Sequence, residues 1–178
     1  AVVERCVNEF GRLDHLVTSA GGPASKSTLE TTDEDWYDAF DMLVMSVVRA
    51  VRAGESHLRA DGGGSIVNIT SMSIKEPSST LVLSASVRMA VAGLEKTLSR
   101  ELAPDVRSNI VLPRSIETER IRSLGEAAIE RGEYDSYDEV IADRASDSPL
   151  GRLGSPDELG DLVAFLCSGR TSYLNGTA

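Results

Sequence analysis

The stretch that decides the fold is Gly64-Ser65-Ile66-Val67-Asn68-Ile69-Thr70-Ser71. It is short, β-branched and mostly apolar, the composition of a strand buried at the centre of a sheet. On its N-terminal side lies Asp61-Gly62-Gly63-Gly64, a turn. Before that turn, Trp36, Phe40, Leu43, Val44, Val47, Val48 and Val51 recur at helical spacing, which predicts a long helix over about 33–60. Thr32 is its N-cap, with Asp35 three residues on as a capping-box partner.

Further out, the same alternation repeats. A helix over about 1–10 ends at Gly11, and His15-Leu16-Val17-Thr18-Ser19 is a short strand running into the turn Ala20-Gly21-Gly22-Pro23. C-terminally, a Ser-rich loop spans 71–80, a second long helix covers about 83–102, and Val106 to Leu112 is a third strand. Residues 113–150 form a polar, charge-rich excursion with weak helical patterning that suits a mobile loop or lid better than core. Ser155-Pro156-Asp157-Glu158 opens a last helix, with Ser at N-cap, Pro at N1 and Glu at N3. Leu174-Asn175-Gly176 reads as the approach to another strand. Strands alternating with helices predict a single, partial α/β domain with a parallel sheet.

Composition narrows the function classes. The 178 residues carry 18 Lys plus Arg against 28 Asp plus Glu, a net charge of −10. An acidic surface does not neutralise phosphates, so nucleic acid is excluded as a partner. No apolar run is long enough to span a membrane, and the two cysteines, Cys6 and Cys167, form no disulfide framework. A cytoplasmic setting is expected. His15 and His57 have no metal-spaced partners, so no metal site is expected.

The order of four segments resembles the short-chain dehydrogenase/reductase family, in its 3-oxoacyl-(acyl carrier protein) reductase-like branch. They are Asp14 to Gly22, Gly64 to Ser71, Leu83 to Ser86, and Pro149-Leu150-Gly151-Arg152-Leu153-Gly154-Ser155-Pro156-Asp157-Glu158-Leu159, the most specific piece. The resemblance covers the chain in order. It implies an α/β fold with a Rossmann-like three-layer α/β/α parallel sheet, here without its first βαβ portion, and hydride transfer between NAD or NADP and a small-molecule carbonyl or alcohol, in a homodimer or homotetramer. By the family's plan, a first strand, a Gly-rich pyrophosphate turn and a second strand would lie before Ala1. Residues 1–178 alone are therefore expected not to bind NAD(P)H.

The family's catalytic set is Asn, Ser, Tyr and Lys. Reducing a carbonyl makes an alkoxide, so a proton donor and a polarising hydroxyl must stand beside it. Laid on this sequence, the Ser falls at Ser71, the Asn at Leu43, and the Tyr-x-x-x-Lys pair at Leu83 and Val87. Leu and Val do not titrate, so the usual relay is replaced. Arg88 stands one residue past the Lys position, about 100° round a helix, and is read as a solvated or interface residue. Ser84 is read as a first-turn helix residue. The resemblance leaves Ser71 as the catalytic candidate. For the cofactor it gives Ser19, Ala20 and Gly21, where the family has Asn-Ala-Gly, and Pro113, Ile116 and Thr118 beside the nicotinamide. Two readings follow: a divergent oxidoreductase, or a non-catalytic relative serving oligomerisation or ligand binding.

Overall fold

A computed structural model describes residues 2–178. They divide into two compact units, residues 2–112 with 163–178, and Pro113–Leu162.

In the first unit, α1 (Val2–Phe10) precedes β1 (His15–Thr18), and the start of the expected helix at Ala1 lies outside the described residues. The long helix is present but not uniform. It runs as α2 (Asp33–Phe40), a π-helical turn over Asp41–Met45, and α3 (Ser46–Arg59). The capping box is closed at both ends: the Asp35 N–H donates to Thr32 Oγ1 at 3.3 Å, and the Thr32 N–H donates to the Asp35 carboxylate at 2.8 Å. Then follow β2 (Gly64–Ile69), α4 (Val82–Glu101) and β3 (Val106–Val111).

The three strands form one parallel sheet in the order β1-β2-β3, with Thr18 opposite Asn68 and Ile69 opposite Val111. Parallel neighbours require crossovers, and the helices between the strands supply them. Both crossovers pack on one sheet face. Val47, Val51 and Leu58 from α3 and Leu83, Val87, Val91 and Leu98 from α4 close over Ile66, Val106 and Ile110. This is the parallel α/β sheet that the alternation of segments predicts and the Rossmann-like architecture that the resemblance implies.

The turn into β2 depends on glycine. Asp61, Gly62 and Gly63 have φ of 52°, 99° and 88°, and a Cβ on Gly63 would stand 2.1 Å from the Asp105 carbonyl oxygen. Only a residue without a side chain lets the chain pass there.

Beyond β3 the second unit begins. Where a loop or lid is expected over 113–150, it holds two helices, α5 (Glu119–Glu130) and α6 (Tyr137–Ser146). Tyr137 and Val140 pack against Gly125, where a Cβ would meet the Tyr137 ring at 3.0 Å. The last helix, α7 (Pro156–Cys167), begins in this unit with the expected cap: the Glu158 N–H donates to Ser155 Oγ at 3.2 Å. After α7 the chain returns to β3. No strand is formed over 174–178, but the Gly176 N–H donates to the Ser108 carbonyl at 2.7 Å, and the Ile110 N–H to that of Thr177 at 3.0 Å.

Candidate active site

Because β1 and β2 are parallel and in register, the turns that follow them leave the same end of the sheet. That end, past the strand C-termini, is where ligands bind in open α/β sheets. Ser19, Ala20 and Gly21 follow β1 there, and Ser71 follows β2. Gly21 is exposed, and nothing lies within 4 Å of the place its Cβ would take.

Ser71 is half-buried and is the N-cap of a 3₁₀ turn over Met72–Ile74. Its Oγ accepts the Ser73 N–H at 3.1 Å. A cap acceptor keeps its own hydroxyl hydrogen, so Ser71 still has a donor to offer.

The first turns of α4 hold the positions on which the resemblance lays the Tyr-x-x-x-Lys pair. Leu83 and Val87 are 1% and 5% exposed and belong to the apolar core over the sheet. The neighbouring stripe at the same i, i+4 spacing is Ser84 and Arg88. Of the solvated and interface readings of Arg88, the solvated one fails, since the residue is 7% exposed. Its Nε donates to Ser84 Oγ at 3.2 Å, and its Nη2 donates to the Gly21 carbonyl at 3.0 Å and to that of Ala20 at 3.5 Å. Arg88 thereby joins α4 to the turn after β1. The spacing Ser-x-x-x-Arg was visible in the sequence, and requiring the pair to be polar would have found it.

Leu43, at the Asn position, is 2% exposed and lies within the core, in the π-helical turn. It has no polar atom to hold a water. The π turn itself, an irregularity that often marks functional sites, is present all the same.

Deeper along the same strands runs a buried polar chain. Thr18 Oγ1 donates to Asn68 Oδ1 at 2.6 Å, and Asn68 Nδ2 donates to Glu95 on α4. Glu95 is 1% exposed, and its Oε1 has no partner. Burial pushes its carboxyl above the usual range, against the opposing pull of Ser108 and Asn68 beside it.

The other three cofactor candidates stand in the second unit. Ile116 forms a parallel bridge with Gly154, whose N–H donates to the Ser115 carbonyl at 3.0 Å. Thr118 is the N-cap of α5, and its Oγ1 donates to the Ile116 carbonyl at 3.2 Å. Pro113 opens the unit. Among the described residues, no three His, Cys, Asp or Glu side chains converge as metal ligands, and no helix is long and apolar enough to cross a membrane.

Comparison with known proteins places this geometry. The family model described as enoyl-(acyl carrier protein) reductase matches residues 1–178. An uncharacterized oxidoreductase of Methylorubrum extorquens AM1 is 34% identical over 176 residues, covering 98% of this chain and 66% of the relative. The 3-oxoacyl-(acyl carrier protein) reductase of Thermotoga maritima is 32% identical, over 98% of this chain and 67% of its own length. Among solved structures, an NADPH-bound short-chain oxidoreductase from Pseudomonas aeruginosa PAO1, containing an atypical catalytic center, superposes with a TM-score of 0.86. It is 30% identical, over 99% of this chain and 66% of that one. The chain thus spans about two thirds of the length of the relatives it matches. With every residue inside the match, and with Gly21 and Ser71 at neighbouring parallel strand ends, the chain belongs to the short-chain dehydrogenase/reductase family.

Proposed function

We propose that the full-length protein is an NAD- or NADP-dependent oxidoreductase of a small-molecule carbonyl or alcohol, in which Ser84 and Arg88 do the polar work at the carbonyl oxygen. The observation that carries this reading is the buried Arg88 guanidinium, bonded at once to Ser84 Oγ and to the Gly21 carbonyl. The relative described as having an atypical catalytic center supports it.

The residues fit a nicotinamide cofactor in part. Ser19, Ala20 and Gly21 offer open backbone at a strand end, with Gly21 clear of neighbours. In this reading they hold it, and Pro113, Ile116 and Thr118 are the further positions that the family resemblance assigns to the cofactor. When bound, the cofactor supplies the hydride. The protein's own part is electrostatic. Arg88 donates into Ser84 Oγ, which leaves the Ser84 hydrogen free to donate to a carbonyl oxygen. As negative charge grows on that oxygen, the fixed cation behind the hydroxyl stabilises it. Arginine does not deprotonate at working pH, so Arg88 is a positioning and polarising group and not the acid. Ser71 is the second donor. The proton that completes the alcohol comes from solvent.

The segment 113–150 is proposed to shape the substrate site. Exposed Tyr37 and Phe40 on α2 and Met89 on α4 support self-association as a homodimer or homotetramer. A cytoplasmic location is part of the same proposal.

The test is oxidation of NADH and NADPH by the full-length protein with a panel of small ketones and aldehydes. Turnover that falls in Ser71→Ala supports the reading. Tight nucleotide binding without turnover of any carbonyl supports the alternative, a ligand-binding relative, which the loss of the Asn position to Leu43 favours.

A further inference from the structure

We infer that Glu95 is a positioning residue for the turn Ser19–Gly21, to which it is linked through Asn68 and Thr18, and that its charge state sets how firmly that turn is held. The inference deepens the cofactor reading, on which it rests for the role of the turn.

One face of α4 holds the exit of β1 at two places. Arg88 and Glu95 are seven residues apart, which puts them on the same helix face, about 10 Å apart along the axis. Arg88 donates to the Ala20 and Gly21 carbonyls. Glu95 accepts from Asn68 Nδ2 on β2, and Asn68 Oδ1 accepts from Thr18 Oγ1 at 2.6 Å. Thr18 is the last residue of β1 and immediately precedes Ser19. The turn is therefore anchored at its far end by a fixed cation and at its near end by a carboxyl that titrates.

Glu95, Asn68 and Ser108 are fully buried. Ser108, on β3, stands close enough to the carboxyl to bear on its charge, yet neither Glu95 Oε1 nor Ser108 Oγ closes a hydrogen bond. Buried polar atoms left this way call for an explanation. Two unpartnered oxygens side by side suit a group that works in two protonation states. As an acid, Glu95 donates from Oε1 to Ser108 Oγ; as an anion, it accepts from the Ser108 hydroxyl.

The anion also strengthens the other arm. An N–H bond to a carboxylate is shorter and stronger than one to a neutral acid. Drawing on the Asn68 amide in turn strengthens the bond that its carbonyl accepts from Thr18. Ionisation thus firms the hold on Thr18, and protonation relaxes it. Burial pushes the carboxyl above the usual range, with Ser108 and then Asn68 opposing, so the change comes above 4.5.

The surroundings leave this group to act alone. Among the described residues, Lys96, the next on α4, is the charged group that acts on Glu95, and its ammonium bonds the Gly176 carbonyl. β2 carries no titratable side chain, and Arg107, the one on β3, bonds the carbonyls of Leu166 and Ser168. On α2 and the π turn, which also pack on α4, Asp35 is paired with Lys26 and Asp41 with Arg49.

The experiment follows this chain by NMR as pH is raised from 4.5. The Asn68 side-chain amide reports the ionisation of Glu95, and the backbone amides of Ser19, Ala20 and Gly21 report the turn. The expected result is one shared midpoint above 4.5 in wild type, lost from both in Glu95→Gln. Ser108→Ala removes the hydroxyl that serves the anion, so the midpoint is expected to rise and the turn amides to rise with it. Turn amides that stay still while Asn68 titrates, that keep the midpoint in Glu95→Gln, or that do not follow the Ser108→Ala shift overturn the proposal. In the full-length protein, NADH or NADPH affinity is expected to rise about fivefold or more through the same midpoint and to stay flat in Glu95→Gln. Binding that is flat with pH in wild type overturns the proposal too. Full-length protein that binds neither nucleotide contradicts the cofactor reading instead, and the amide shifts then decide the role of Glu95.

Discussion

Arg88 Nη2 donates to the Gly21 carbonyl at 3.0 Å, across 67 residues of sequence, and so ties α4 to the turn that follows β1. Both ends of that bond lie at the sheet end where ligands bind in this architecture. Arg88→Met keeps the side-chain length but strands the Ala20 and Gly21 carbonyls and Ser84 Oγ. It is expected to lower stability by about 1–3 kcal/mol. Urea unfolding measures this, and an unchanged midpoint would mean that water replaces the guanidinium at no cost.

Glu95 gives a pH signature. Burial raises its carboxyl in the folded state, with Ser108 and Asn68 opposing. The folded protein therefore holds this proton more tightly than the unfolded chain does. Stability from this group is fully present below the ordinary value of 4.5 and is lost as pH rises through the raised folded value. Glu95→Gln keeps the shape, cannot ionise, and can still accept from Asn68. The variant is expected to be more stable than wild type at pH 7, with the gap closing as pH falls to 4.5. Chemical denaturation across that range tests it, and a gap that widens on acidification would refute the assignment.

Gly63→Ala is expected to be severely destabilising. The position has φ of 88°, and the new Cβ would stand 2.1 Å from the Asp105 carbonyl oxygen, a backbone atom with nowhere to go. Strain of this kind costs about 2 kcal/mol or more. Gly62→Ala, with φ of 99° but open space around it, carries only the conformational part and serves as the comparison. Equal Tm values for the two variants would remove the steric argument.

Glu158 is expected to titrate at about 2, held there by Arg152 first and by the Ser155 N–H next. A lowered carboxyl contributes stability above its ordinary value of 4.5 and loses it as pH falls toward 2. Carbon-detected NMR of the side-chain carboxyl follows this directly. In Arg152→Gln the midpoint is expected to move up toward 4.5.

The fold was legible because burial leaves a pattern. The β-branched run over Ile66 to Ile69 and the helical stripe from Trp36 to Val51 are dictated by what must be hidden, and both stand where the spacing placed them. The π turn at Asp41–Met45 left no mark, because it shifts hydrogen bonds and not the apolar stripe. The helices within 113–150 were obscured for a related reason. Their surfaces are charged, and only Ile121, Gly125, Ala128 and Val140 are buried in them.

The site was harder. Ser71, Gly21 and Thr118 are candidates from motif order, which carries no information on the direction in which α4 points its side chains. The resemblance lays the Tyr-x-x-x-Lys positions on Leu83 and Val87, and both are part of the apolar core. Arg88 looked solvated because arginine usually is. Its burial rests on main-chain carbonyls of a turn that is distant in sequence and carries no side-chain signal.

The central claim is that Ser84, backed by Arg88, stabilises the charge that forms on the substrate oxygen. The most direct measurement is kcat and KM for NAD(P)H-dependent reduction of the best carbonyl by the full-length protein, in wild type, Ser84→Ala and Ser84→Thr. The expected result is a kcat lowered about 100-fold in Ser84→Ala with KM little changed, and partial recovery in Ser84→Thr, which restores the hydroxyl. Wild-type kcat in Ser84→Ala would contradict the account.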